Sequence, residues 1–185
     1  MAHVNATPSR FVWLDLEMTG LDPKTCVIVE IGVVITGPDL VPIAEIEHAI
    51  WHPEADLLRM EPFVRDMHTK NGLLERVRAS RTSLRDAERS VLSLVQKHVP
   101  FREGILSGNS IHVDRRFLCA HMPLLEEYLH YRMVDVSSLK VLTRAWYPGG
   151  PDFKKETQEH TAIADLRASL EELAFYKANF FKPPA

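Results

Sequence analysis

Apolar residues run almost unbroken from Phe11 to Leu16, interrupted and followed by two acids, Asp15 and Glu17, before Thr19 and Gly20. Side chains alternate along a strand, so Phe11, Trp13, Asp15 and Glu17 share one face, and Val12, Leu14, Leu16 and Met18 the other. Both faces are largely apolar, which predicts a central strand covered on both sides. Val27–Ile35 (VIVEIGVVI) is a second, β-branched strand, ended by Gly37-Pro38-Asp39. Ile43–Trp51 (IAEIEHAIW) alternates as a half-exposed third strand would. The three are expected to form an antiparallel meander.

The period then changes. His52–Glu61 reads as a loop, with a short helix over Pro62–His68 and a break at Asn71-Gly72. Leu84–His98 carries Ala87, Val91, Leu94 and Val95 at helical spacing, and Ser83 with Asp86 three residues on forms a weak capping box. Ile105–Asn109 reads as a short strand, and helices follow over Val113–Ala120 and Pro123–Leu129. Tyr131–Val136 is a strand candidate, Ser138 a cap for Leu139–Tyr147, and Thr161–Asn179 the last helix. Three strands, then strands alternating with helices, predict an α/β fold with a mixed sheet flanked by helices. Residues 10–181 read as one domain, with 1–9 as a loose N-terminal arm and 182–185 as a tail.

Composition narrows the partners. The chain has 185 residues and a net charge of −3. A protein that grips long nucleic acid through its phosphates usually carries a basic excess, so a nucleic-acid substrate here would be short, or held by a few basic residues and metal. The two cysteines, Cys26 and Cys119, form no CxxC pattern and read as reduced thiols. No apolar run approaches the length of a membrane span, and residues 1–10 lack the features of a signal peptide. The chain is expected to be soluble and cytoplasmic.

The chemistry rests on carboxylates. Asp15 and Glu17 would have Cβ atoms about 7 Å apart on one strand face, a spacing that suits shared hold on a hard cation. Asp114 starts a helix just after a short strand, where sites in α/β sheets assemble. Asp165 lies near the start of the last helix among small apolar neighbours. Alone, each of these two also reads as a first-turn acid favoured by the helix dipole. His160 precedes Asp165 by five residues, and imidazole titrates near neutrality. Four acids with one histidine describe a phosphodiester-hydrolysing site. Its two divalent ions, about 4 Å apart, would be held by Asp15, Glu17, Asp114 and Asp165, with His160 as general base. Oxygen ligands favour Mg²⁺ or Mn²⁺.

The runs WLDLEMTGLDP (Trp13–Pro23), SGNSIHVDRRFL (Ser107–Leu118), HYRMVDVSSLK (His130–Lys140) and HTAIADLRASLEEL (His160–Leu173) resemble the DEDD exonucleases of ribonuclease H-like fold, in their histidine-containing branch. Within that branch the likeness is to the oligoribonucleases, over residues 10–181. The resemblance implies a homodimer that hydrolyses very short RNA, especially dinucleotides, 3′→5′ to 5′-mononucleotides. It implies metal ligands at Asp15, Glu17, Asp114 and Asp165 and the base at His160. It puts the 3′ nucleoside beside Met18, Thr19 and Leu21, with Leu21 wedged against the bases, and makes His68 a substrate contact. Ser110, Ser137, Arg132 and a partner subunit's tyrosine matching Tyr131 would cap the 5′ phosphate.

Two positions depart from that pattern. Phe63 stands where a stacking tryptophan is usual, and stacking on Phe offers less contact area. Ala164 replaces the first of two paired aspartates, leaving Asp165 as the ligand. Two other classes remain open from the residues: a DNA exonuclease such as a polymerase proofreader, and a nucleotide-binding module without turnover.

Overall fold

The computed structural model describes residues 10–155 and 161–182. The expected N-terminal arm (1–9), residues 183–185 of the tail, and His160 lie outside them. The first apolar run becomes β1 (Phe11–Met18), paired antiparallel with β2 (Ile28–Thr36), which pairs antiparallel with β3 (Pro42–Ala49). On its other side β1 pairs parallel with β4 (Ile105–Gly108), and β4 pairs parallel with β5 (Met133–Asp135). The order β3-β2-β1-β4-β5 gives a mixed five-stranded sheet with β1 at its centre, as the two apolar faces of that strand required.

The alternation of β1 divides the core. Val12, Leu14 and Leu16 pack on one face against Ala87, Val91 and Val95 of α4 (Leu84–His98), Phe117 and Leu118 of α5 (His112–His121), and Leu125 of α6 (Pro123–Tyr128). Trp13 packs on the other against Val136 of α7 (Val136–Trp146) and Leu166, Leu170 and Tyr176 of α8 (Ala162–Phe180). Trp13 Nε1 is satisfied inside that layer by Thr36 Oγ1 at 3.0 Å, as a buried indole requires. The Ser83 cap of α4 forms as expected, accepting from the Asp86 amide.

Three expectations are corrected. The segment read as a loop contains a one-turn helix, α1 (Glu54–Leu57). After α2 (Pro62–Lys70), a helix not anticipated, α3 (Leu73–Ala79), starts at Gly72, whose φ of 73° falls in the left-handed region. Leu57, Met60, Leu73, Leu74 and Val77 bury together with Val29 of β2, which is what holds such short helices in place. Finally, β5 begins only at Met133, so Tyr131 and Arg132 precede it, and α7 begins at Val136. Its cap is Asp135, accepting from Ser137 N, rather than Ser138.

Two details of β2 position the start of α8. Gly32 pairs with Asp15, and a Cβ there would meet Ala162 Cβ at 2.8 Å, so the absence of a side chain lets α8 begin directly against the sheet. Glu30, wholly buried in the same strand, bonds Arg76 of α3 and accepts from Ala162 N at 3.3 Å. A carboxylate at a helix N-terminus is favoured by its free amides, and the Arg76 guanidinium offsets the cost of burying the charge.

Candidate active site

Asp15 and Glu17 stand on the α8 side of β1, and α8 brings Asp165 in its first turn. One carboxylate oxygen from each of these three lies within 4.8 Å of the others. Thr161 caps α8, its hydroxyl accepting from Ala164 N. Asp114, in the first turn of α5, is buried beside them with Oδ1 accepting from Leu16 N at 2.9 Å. That bond ties the acid to the backbone between Asp15 and Glu17. Asp114 is thus a neighbour of the trio, with one oxygen already committed to β1.

Crowding these acids in a poorly solvated place raises their affinity for protons. Burial pushes the Asp15 carboxyl well above its usual range, reinforced by the charges of Asp114, Glu17, Asp165 and Glu30. Burial, then the charges of Asp165, Glu30 and Asp114, pushes Glu17 up to about 7, with Arg76 pulling the other way. Asp114 is pushed up to about 7 by burial, against the Leu16 amide that favours its anion. The cluster already attracts a cation: the Lys155 ammonium bonds Asp165 Oδ1. An all-oxygen donor set, short of positive charge and half-buried, fits a hard divalent ion.

The other candidate residues fall into two groups. Beyond the acids the chain bends over residues 19–21, and Thr19 is locked there, its hydroxyl accepting from Val27 N at 3.0 Å. This leaves Leu21 72% exposed. Phe63, in the first turn of α2, is 77% exposed. Both leave apolar surface exposed. His68 is by contrast fully buried; its Nε2 contacts the Met18 carbonyl at 3.0 Å and lies 3.9 Å from Glu17 Oε2. Burial lowers its pKa, so it supports the turn from behind as a neutral imidazole.

The second group sits at the ends of β4 and β5. Ser110 adopts φ 51°, a conformation costing an L-residue about 1 kcal/mol or more. It aims its amide at Asp135 Oδ1 and Ser137 Oγ, both 3.0 Å away. The Ser110 and Ser137 hydroxyl oxygens are 3.3 Å apart. Tyr131 is 67% exposed and stacks on His130, with the Arg132 guanidinium over its ring at 5.3 Å. Arg115, next to Asp114 in α5, anchors this segment by donating to the carbonyls of Tyr131 and His130 at 2.9 and 3.1 Å.

Sequence reasoning missed Glu30, Arg76, Lys155, Asn109 and Asp135. Glu30 carried a signal: it is a lone acid in an otherwise apolar run. The others act through contacts between distant segments.

The fold and this acid cluster define a nuclease class. The Exonuclease family model (RNase_T) matches residues 12–173, and the chain belongs to that family. Within it the chain is an oligoribonuclease-family member. It is 43% identical over 176 residues to the oligoribonuclease of Thiobacillus denitrificans, covering 95% of this chain and 97% of the relative. It is 46% identical over 169 residues to that of Francisella tularensis, covering 91% and 94%. In fold it is similar to E. coli Exonuclease I bound to a dT13 oligonucleotide, with TM-score 0.72 at 16% identity over 92% of this chain. It is also similar to Methylocaldum szegediense Exonuclease I, with TM-score 0.70 at 17% identity. This chain spans only 41% of the length of each of those two, so their likeness concerns the fold alone.

Proposed function

We propose that this chain is a 3′→5′ exoribonuclease specialised for very short RNA, dinucleotides foremost, which it converts to 5′-mononucleotides. The observation that carries this reading is the meeting of Asp15, Glu17 and Asp165 within 4.8 Å, at the end of the central strand of an exonuclease domain. The domain is proposed to span 10–181.

Two divalent ions, Mg²⁺ or Mn²⁺, held by Asp15, Glu17, Asp114 and Asp165, would supply an acidified water and neutralise charge at the leaving oxygen. His160 would accept a proton from the attacking water as the water oxygen bonds to phosphorus and the P–O3′ bond breaks, and the upstream O3′ would take a proton from solvent and leave as a 3′ hydroxyl. Leu21 and Phe63 offer surfaces for the bases, with Met18 and Thr19 shaping the turn between them and His68 supporting it. Ser110, Ser137 and Arg132 cap the 5′ phosphate, since hydroxyls and a guanidinium suit a terminal phosphate dianion.

A cap closes the groove, so a longer strand has no exit. This accounts for a nuclease with net charge −3, which needs no basic track. Tyr131 is proposed to complete the cap of a partner subunit in a homodimer. Its exposure supports this, as do Leu124, Met133, Val141 and Trp146, apolar side chains left exposed on α6, β5 and α7. The proposed compartment is the cytoplasm. Among the described residues no helix is long and apolar enough to cross a membrane.

Turnover of a 5′-phosphorylated ribodinucleotide tests the reading. With Mg²⁺ or Mn²⁺ both mononucleotides should appear, and in EDTA neither. Tyr131→Ala should lower kcat/KM for that dinucleotide about tenfold or more, as loss of a charge-assisted hydrogen bond would, while thermal unfolding stays where it was. Saturable binding that persists in EDTA, with no product under any ion, would instead mean a nucleotide-binding module.

A further inference from the structure

Asn109, the residue that follows β4, lies between the acid cluster and the serines, and every polar atom of its side chain is used. Its Nδ2 donates to Ser169 Oγ and to Glu172 Oε2 of α8, each at 3.0 Å. Its Oδ1 accepts from the Ser137 hydroxyl at 3.0 Å. Both α8 partners are themselves fixed. Ser169 Oγ donates to the main-chain carbonyl of Asp165 at 2.9 Å. Glu172 is buried, and its Oε1 accepts from Tyr176 Oη and pairs with Lys140 Nζ of α7, both at 2.8 Å. Ser169 and Glu172 are three apart on α8 and therefore share the face that meets Asn109.

The chain of bonds runs in one direction. Asp165 is held by Ser169, Ser169 by Asn109, Asn109 by Ser137, and Ser137 Oγ by the amide of Ser110. The single hydroxyl proton of Ser137 is spent on Asn109, so in the 3.3 Å contact between the two hydroxyls Ser110 is the donor. Ser169 and Glu172 are buried and Asn109 and Ser137 half-buried, so these bonds are partly shielded from water, and one amide side chain joins α8 to the serines.

We propose that Asn109 is a positioning residue that fixes the distance between the carboxylate cluster and the 5′-phosphate cap, and thereby the RNA length the site prefers. This rests on reading Ser110 and Ser137 as that cap. Asn109 touches no reacting atom; it acts through Ser137 on one side and Ser169 on the other.

The test compares kcat/KM for four substrates with Mn²⁺ present. They are a 5′-phosphorylated ribodinucleotide, the same dinucleotide without its 5′ phosphate, a 5′-phosphorylated pentanucleotide, and thymidine 5′-(p-nitrophenyl phosphate). The last reports the acid cluster without the cap. Asn109→Ala should reduce the preference for the phosphorylated dinucleotide over the next two about tenfold, as expected for a lost buried hydrogen bond. The loss should fall on KM, with hydrolysis of the nitrophenyl ester within about twofold of wild type. Asn109→Asp sets a carboxylate against Glu172 and should lose the preference too. Adding Glu172→Gln exchanges amide for carboxylate and remakes the bond to residue 172 with its polarity reversed, though not the one to Ser169, and should restore part of the preference. If Asn109→Ala does not fold, Asn109→Asp with and without Glu172→Gln gives the same comparison.

Variants that keep the wild-type preference, or lose all four substrates in equal measure without rescue, would overturn the inference. A wild type that ignores the 5′ phosphate would remove the cap itself, and the inference with it, an outcome visible before any variant is made.

Discussion

Glu17→Gln is expected to abolish RNA hydrolysis and, in the same molecule, to stabilise the metal-free fold at pH 8. The first effect follows from the proposed metal role of the trio with Asp15 and Asp165, from which glutamine removes a charged oxygen. A cost of roughly a thousandfold or more in kcat is expected when a catalytic metal site loses a ligand carboxylate. The second follows from linkage. The folded state raises Glu17 from 4.5 to about 7. Between those values the native chain binds more protons than the unfolded one, so stability falls as pH rises through the window. Above it the ionised Glu17 costs roughly 3 kcal/mol, which glutamine does not. Urea unfolding in EDTA should therefore find the variant level with wild type near pH 4 and more stable at pH 8. Added Mn²⁺ should reverse the order at pH 8 by stabilising wild type more. A variant that is less stable than wild type at pH 8 in EDTA would refute the crowding of these acids.

His160→Ala is expected to slow hydrolysis by about 10²–10⁴-fold, the usual contribution of a positioned general base, with little effect on dinucleotide affinity. Among the described residues two other imidazoles come near the acids. His68 is buried and bonded to the Met18 carbonyl. His112 pairs with Asp135 at 3.4 Å on the cap side. Neither is free to serve the cluster, whereas His160 directly precedes Thr161, the cap of the helix that delivers Asp165. The acidic limb of the kcat–pH profile should disappear in the variant, and affinity can be read in Ca²⁺, which binds oxygen ligands at longer, looser distances than Mg²⁺. A wild-type rate would remove His160 from the mechanism.

Much of this architecture was legible where one physical signal dominates. The two apolar faces of β1 announced a central strand, and Ser83 with Asp86 marked the start of α4 to the residue. The short helices α1 and α3 were not legible. Their apolar residues bury against Val29 in a small cluster of their own, and four to seven residues carry too little periodicity to register. The α7 boundary was misjudged because Ser138 looks like a cap, while Asp135 also bonds the distant Ser110 amide and wins the role. The acids and their convergence could be expected from the sequence, but the contacts that bring about that meeting could not. It depends on the pairing of Asp15 with Gly32, on a missing Cβ that admits Ala162, and on Glu30 receiving the α8 amide. Asn109 was invisible for the same reason: its partners lie 28 to 63 residues away.

The most direct test of the proposed activity is cleavage of a 5′-labelled RNA ladder, from dinucleotide to heptanucleotide, by the full chain with Mg²⁺ or Mn²⁺. A capped groove requires the dinucleotide to disappear fastest, with longer strands lagging behind it. Equal or faster cutting of the longer strands would mean an open groove and a general 3′ exonuclease.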